Sequence, residues 1–73
     1  MSLKPLPYRT VKQKLERAGF IEYTQKGSHV KFIKTTSLGT LTAIVLKHSE
    51  VTIGTLKSIL RQAGLTDSEF DSL

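Results

Sequence analysis

A histidine that follows a glycine–serine turn is the residue of this sequence best suited to chemistry. Gly27-Ser28-His29 lies between two runs of alternating apolar and polar residues, a pattern typical of a hairpin. The unperturbed pKa of imidazole, about 6.5, lets a histidine take up and release a proton near neutral pH. Side chains on a strand alternate, so Val30 and Phe32 are expected to face the core. We therefore expect His29 and Lys31 to be exposed on the opposite face.

The reaction that such a histidine could catalyse is RNA cleavage without a metal. A neutral imidazole can deprotonate a ribose 2′-hydroxyl, which then attacks the adjacent phosphate. Lys26 and Lys31 lie close to His29 in the sequence, and their charge could bind the phosphate and keep the imidazole neutral. One positioned base contributes about 10² to 10⁴ in rate. No obvious general acid stands out, so the sequence predicts one base and two supporting cations.

The length and composition of the chain limit what else it could hold. With 73 residues it forms one domain, residues 1–73, of which residues 1–6 are expected to be frayed. A domain of this size buries only about 60% of the surface that its unfolded chain exposes, which leaves no room for a deep cofactor pocket. There is no cysteine, and the two histidines lack metal-ligand spacing. We therefore expect neither a metal nor a cofactor.

The charge is strongly basic and unevenly distributed. All eleven Lys and Arg but only three of the six acidic residues lie within residues 1–66, so this part carries a formal charge of +8. Such a surface suggests a polyanionic partner, with ordinary solubility as the alternative. The longest aliphatic run, residues 43–46, is far below the roughly 20 apolar residues that span a bilayer. We expect a cytoplasmic protein that does not contact a membrane.

The first half of the chain predicts a helix followed by three strands. Apolar residues recur at spacings of three and four over residues 8–18, and Gly19 provides a stop signal. Residues 21–24 and 29–33 predict a hairpin, with residues 25–28 as its turn. Residues 34–39 are expected to be a polar connection. Residues 40–46 are rich in β-branched side chains and predict a third strand of an antiparallel sheet.

The second half predicts two further helices. A broad apolar stripe begins at about Thr52 and ends at residues 63–65, where an alanine–glycine–leucine stop repeats the first one. Thr66 and Glu69 form a capping-box pattern, which predicts a short helix from Asp67 to about Ser72. The predicted fold class is α+β, ordered α-β-β-β-α with a three-stranded antiparallel sheet and a short C-terminal helix.

Five segments of the sequence match a known family in order and spacing. They are Ala18-Gly19-Phe20, Gly27-Ser28-His29, His48, residues 54–65 and Glu69-Phe70. In this arrangement the chain resembles the HicA-type mRNA interferase toxins of bacterial type II toxin–antitoxin systems, and the resemblance covers nearly all of it after Pro5. The combination of the turn with the long second-helix signature makes the resemblance specific.

The resemblance implies a fold like that of a double-stranded-RNA-binding domain and a cofactor-free endoribonuclease that cleaves mRNA. It also implies a HicB-type antitoxin that covers the active face. The histidine of the turn is catalytic in the family, which corresponds to His29 here. Lys26, Gly27, Ser28 and Lys31 are the expected RNA-binding residues. His48 follows a leucine-containing segment where the family usually has proline, and we leave it outside the catalytic set.

Alternative interpretations remain open at this stage. An exposed histidine beside a hairpin turn is usually an ordinary polar surface residue, so the chain could be a non-catalytic RNA-binding module of the same fold. A DNA-binding regulator is weakly supported because no helix-turn-helix spacing is present. The first helix carries four cations that could contact RNA or merely face solvent. They are Arg9, Lys12, Lys14 and Arg17.

Overall fold

The computed structural model describes residues 3–47 and 50–73 and has the predicted α+β order. Its elements are α1 (Tyr8–Arg17), β1 (Ile21–Lys26), β2 (His29–Thr36), β3 (Gly39–Leu46), α2 (Ile53–Ala63) and α3 (Asp67–Asp71). The three strands form one antiparallel sheet in the order β1-β2-β3. The α-β-β-β-α arrangement with a short C-terminal helix is therefore confirmed.

The central strand β2 makes two different pairings. Its pairing with β3 is regular over eight residue pairs, from Thr36 opposite Gly39 to His29 opposite Leu46. Its pairing with β1 contains a bulge, because the register shifts between Glu22 and Thr24. A bulge places one extra residue on one strand and turns the local backbone. The extra residue here is Tyr23.

The strands are longer than the sequence predicted. Residues 34–39, expected as a polar connection, mostly belong to β2 and β3, and only Ser37 and Leu38 form the turn. Threonines explain the difference, because their β-branched side chains suit strands and their hydroxyls can hold turns. The Thr36 hydroxyl donates to the Gly39 carbonyl at 2.8 Å and accepts from the Leu38 N–H at 3.1 Å. The first hairpin turn is likewise only two residues, 27–28, rather than 25–28.

The core lies on one face of the sheet. Val30 and Phe32 of β2 are fully buried, together with Ala43 and Val45 of β3. The helices contribute the rest of the core, namely Val11, Leu15, Leu56, Ile59, Leu60, Ala63 and Phe70, joined by Phe20 and Val51. Strand side chains alternate between faces, so the residues between these positions lie on the other side. Val30 and Phe32 are buried and His29 is exposed, as predicted, whereas Lys31 lies on the outward face but is half-buried.

We call this other side of the sheet the open face. Its central row is His29, Lys31, Ile33 and Thr35 of β2. Its outer rows, assigned by register and alternation, are Ile21, Thr24 and Lys26 of β1 and Thr40, Thr42, Ile44 and Leu46 of β3. Tyr23, the bulge residue, joins this face through its contact with the Lys31 ammonium. No acidic residue occurs among these twelve.

Both long helices end as predicted at a glycine. Gly19 and Gly64 have φ values of +100° and +70°, in the left-handed region. The Phe20 N–H donates to the Leu15 carbonyl at 3.0 Å, and the corresponding bond after α2 joins Leu65 to Leu60 at 2.9 Å. These are Schellman motifs, which satisfy the last carbonyls of a helix. The two glycines therefore determine the residue at which each helix ends.

The beginning of the chain is tied to the segment after β3. Leu6 and Val51 exchange two backbone hydrogen bonds, of 3.0 and 2.7 Å. Leu3 and Leu6 also pack against the core. This differs from the frayed start expected for residues 1–6, because apolar burial and paired backbone groups offset the entropy of ordering. Met1 and Ser2 lie outside the described residues.

Candidate functional site

The turn before His29 brings two site residues together. Gly27 has a φ of +61° and Ser28 does not have a positive φ, the pattern of a type II′ hairpin turn. The Gln25 side-chain amide donates to the Gly27 carbonyl at 3.0 Å. Lys26 and His29 are consequently direct cross-strand neighbours, whose Cβ atoms in such pairs lie about 4.5–5.5 Å apart. The structure thus joins two residues that the sequence placed only near each other.

His29 is exposed at the start of the central strand. It lies between Lys26 of β1 and Leu46 of β3, the residues that pair with it. Lys31 is two residues further along the same face, about 7 Å away along the strand. The Lys31 ammonium lies 5.7 Å from the centre of the Tyr23 ring. A substrate phosphate beside His29 would therefore lie between two lysines.

Lys47 is a basic residue beside the turn that the sequence analysis did not single out. Its N–H donates to the Ser28 carbonyl at 2.6 Å, and its side chain is exposed. This bond places the residue directly across from the glycine–serine turn. The signal was present in the sequence, because counting pairs back from the turn at Ser37 and Leu38 sets Lys47 opposite Ser28. The predicted polar connection over residues 34–39 concealed it.

A shallow pocket adjoins the open face at Leu46, where β3 ends and the segment before α2 begins. Leu46 is the residue paired with His29, so the pocket is next to the candidate base. It is lined by Leu46, Glu50, Val51, Thr52 and Thr55. A substrate lying across His29 would have its next group close to this mixed apolar and polar surface.

One lysine of the first helix is engaged in an ion pair. Lys12 lies 3.1 Å from the Glu22 carboxylate, and the hydrogen bond to Glu22 raises the pKa of Lys12. Tyr8, one turn earlier, has its pKa raised, mainly by burial and then by the charge of Glu22. Glu22 is thereby held towards α1. Lys12 supports the contact between α1 and β1.

Lys14 has a structural role at the other end of the chain. Its ammonium donates to the backbone carbonyls of Phe70 and Leu73 at 3.1 and 3.2 Å and lies 5.1 Å from the Phe70 ring. A cation at the last carbonyls of a helix is favourable, so Lys14 fastens α3 to α1. Arg9 and Arg17 are exposed. The four cations of the first helix therefore divide into two engaged lysines and two outward arginines.

The structure bears on metal and membrane binding only for the residues that it describes. Within residues 3–47 and 50–73, no three His, Cys, Asp or Glu side chains form a group that could hold a metal ion. The expected absence of a metal or cofactor stays a prediction. No helix in these same ranges is long and apolar enough to cross a membrane. His48, considered above as a second histidine, lies outside the described residues.

The fold and site together define a small, basic α+β protein that presents a histidine on an uncovered sheet face. Residues 8–65 match the family of HicA toxins of bacterial toxin–antitoxin systems. The match covers most of the 73 residues, so the chain belongs to the HicA toxin family. It is therefore a toxin of a toxin–antitoxin system, and its family implies an antitoxin partner. A comparison with curated proteins finds no matching sequence.

Proposed function

We propose that this toxin is an endoribonuclease that cleaves mRNA without a metal, with His29 as its general base. The observation that carries the proposal is the position of His29, exposed at the start of the central strand with Lys26 beside it. Lys31 shares its face, and Lys47 lies across the turn. Two lysines that share the face of one imidazole, Lys26 and Lys31, suit a reaction at a phosphodiester.

The proposed reaction needs only this chain and RNA. A neutral nitrogen of His29 accepts the proton of a ribose 2′-hydroxyl, and the 2′-oxygen forms a bond to the adjacent phosphorus. The bond from phosphorus to the 5′-oxygen breaks, leaving a 2′,3′-cyclic phosphate and a 5′-hydroxyl that takes a proton from water or imidazolium. Lys26 and Lys31 stabilise the charge that gathers on the phosphate oxygens. Gly27 and Ser28 form the turn that holds these groups together.

The first test removes the imidazole. His29→Ala should lower cleavage of an RNA substrate, with chelator present, by at least the 10²- to 10⁴-fold that one general base contributes. Its free energy of unfolding, measured by thermal melting, should stay within about 0.5 kcal/mol of that of the parent chain, because an exposed side chain contributes little packing. Free imidazole should restore part of the lost rate.

Two control variants sharpen this test. Lys57→Ala removes an exposed charge from α2 and should leave cleavage nearly unchanged. His48→Ala should retain substantial activity, and a loss equal to that of His29→Ala would make His48 a partner acid. Full activity in folded His29→Ala protein would contradict the mechanism and favour a non-catalytic RNA-binding module instead.

We also propose that a HicB-type antitoxin inhibits the toxin by covering the open face. This face carries Lys26, His29 and Lys31 and no acidic residue, so acidic side chains of a partner could occupy the phosphate positions. Purified antitoxin should then compete with RNA for His29→Ala protein. Simultaneous binding of both, with neither affinity reduced, would rule out inhibition by occlusion.

A further inference from the structure

We propose that Tyr23 is a stacking platform for a nucleobase of single-stranded RNA and holds the nucleotide next to the scissile bond. The inference rests on the proposed endoribonuclease function and adds a residue to its substrate site. It arises from three observations, namely the exposure of the ring, its placement by the β1 bulge, and its contact with the Lys31 ammonium.

The Tyr23 side chain is more exposed than is usual for an aromatic residue in a strand. Its relative exposure is 60%, although aromatic residues in strands usually pack against cross-strand neighbours. It lies at the bulge of β1, an edge strand whose six residues are all exposed. Bulges occur next to active sites, where they redirect a side chain. The ring is thus presented to solvent without contributing to the core.

The ring is close to the candidate base. Lys31 lies beside His29 on the same face, and its ammonium is 5.7 Å from the centre of the Tyr23 ring. By register, Thr24 pairs with Lys31 and Lys26 pairs with His29, so Tyr23 lies three residues along β1 from the neighbour of His29. A base stacked on Tyr23 would place its own phosphate near Lys31. Ring and ammonium together then bind both parts of one nucleotide.

The positive charge around Tyr23, combined with its exposed ring, suits single-stranded RNA as the occupant. The open face carries the cations Lys26 and Lys31, while the acid of β1, Glu22, is paired with Lys12 of α1. Proteins that bind single-stranded RNA combine a basic surface with aromatic rings on which bases stack. Such stacking tolerates any base, because every base has a π-face.

The experiment measures the affinity of a short single-stranded RNA for proteins that also carry His29→Ala, so that the RNA stays intact. Tyr23→Ala should weaken binding about 5- to 150-fold, the range equivalent to 1–3 kcal/mol per stacked base. Tyr23→Phe should keep nearly full affinity because it retains the ring. Ile21→Ala is the matched control, since Ile21 lies on the same strand with 61% exposure and has no ring.

Two further readouts locate the stacked base. An RNA with one abasic nucleotide is tested with that nucleotide at each position in turn, and affinity should fall when it lies beside the cleavage site. For that RNA, Tyr23→Ala should cause no further loss of affinity. The chain has two tyrosines and no tryptophan, so in a Tyr8→Phe background the tyrosine fluorescence reports on Tyr23 and should be quenched by RNA.

The outcomes separate this inference from the function on which it rests. Equal RNA affinities for the Tyr23→Ala, Ile21→Ala and parent proteins would overturn it, and so would a Tyr23→Ala loss that appears only against the antitoxin. If His29→Ala proves catalytically active, which would contradict only the assignment of the base, the same contrast is measured with RNA whose 2′-hydroxyls are methylated and which this reaction therefore cannot cleave. Failure of every variant to bind RNA would instead refute the proposed function, and this inference with it.

Discussion

The two faces of β2 separate the packed core from the candidate site within one strand. Val30 and Phe32 are fully buried against the helices, whereas the alternate residues His29 and Lys31 lie on the open face. Neighbouring residues are only about 3.3 Å apart along the strand, yet their surroundings are opposite. The contrast implies that substitutions on one face should change stability and those on the other should change binding or catalysis.

The largest effect on stability is expected from the buried side of the strand. Phe32→Ala should destabilise the protein by about 3–5 kcal/mol, because it removes apolar contacts and leaves a cavity. That loss is most of the stability of a small domain. Lys31→Ala, one residue away, should stay within about 0.5 kcal/mol. Urea unfolding of both variants is the measurement, and equal losses would break the contrast between the two faces.

A smaller effect, on binding alone, is expected from the open face. Replacing Lys26 and Lys31 by Glu should weaken RNA binding at low salt, if each binds one phosphate. It should also flatten the slope of log affinity against log salt by up to about two units. The matched control is Lys57→Glu with Arg61→Glu, which reverses two exposed charges on α2. An unchanged slope in the first variant would move the phosphate site elsewhere, for example to the outward arginines of α1.

The smallest effect should come from a lysine on neither face. Lys14→Met keeps the apolar stem but removes hydrogen bonds to the Phe70 and Leu73 carbonyls, a cost of about 1 kcal/mol for a partly exposed group. Amide exchange in α3 should quicken while RNA affinity hardly changes. A marked fall in affinity with unchanged exchange would show that Lys14 contacts RNA after all.

Much of this architecture follows from local sequence signals. The alternation of apolar and polar side chains over residues 29–32 separates core from surface. Gly19 and Gly64 end helices because a glycine adopts the left-handed backbone conformation at little cost in free energy. The capping box at Thr66 and Glu69 forms with hydrogen bonds of 2.8 and 3.1 Å. Each of these features depends on contacts within a few residues, which a sequence pattern can express.

Other features depend on how distant segments meet. Lys14 donates to the carbonyls of Phe70 and Leu73, which lie 56 and 59 positions further along the chain. No local pattern indicates this contact. The bulge at Tyr23 follows from pairing β1 with β2 and leaves no mark in the alternation of either run. Lys47 could have been found by counting pairs, but only once residues 34–39 were assigned to strands. The exposure of His29 was therefore predictable, whereas most of its surroundings were not.

The turn at Ser37 and Leu38 also limits how the length of the hairpin formed by β2 and β3 can change. All eight pairs of β2 with β3 are counted from that turn, and His29 belongs to the pair furthest from it. Inserting one residue in either strand would slip the register and exchange the two faces. Adding one residue to each strand would preserve the pairing but would still move the residues beyond the insertion to the opposite face. Two residues added to each strand would preserve both the pairs and the faces, whereas a single extra residue in one strand can form a bulge, as in β1 at Tyr23. Insertions and deletions here should consequently occur two residues at a time in both strands if His29 is to keep its neighbours and its face.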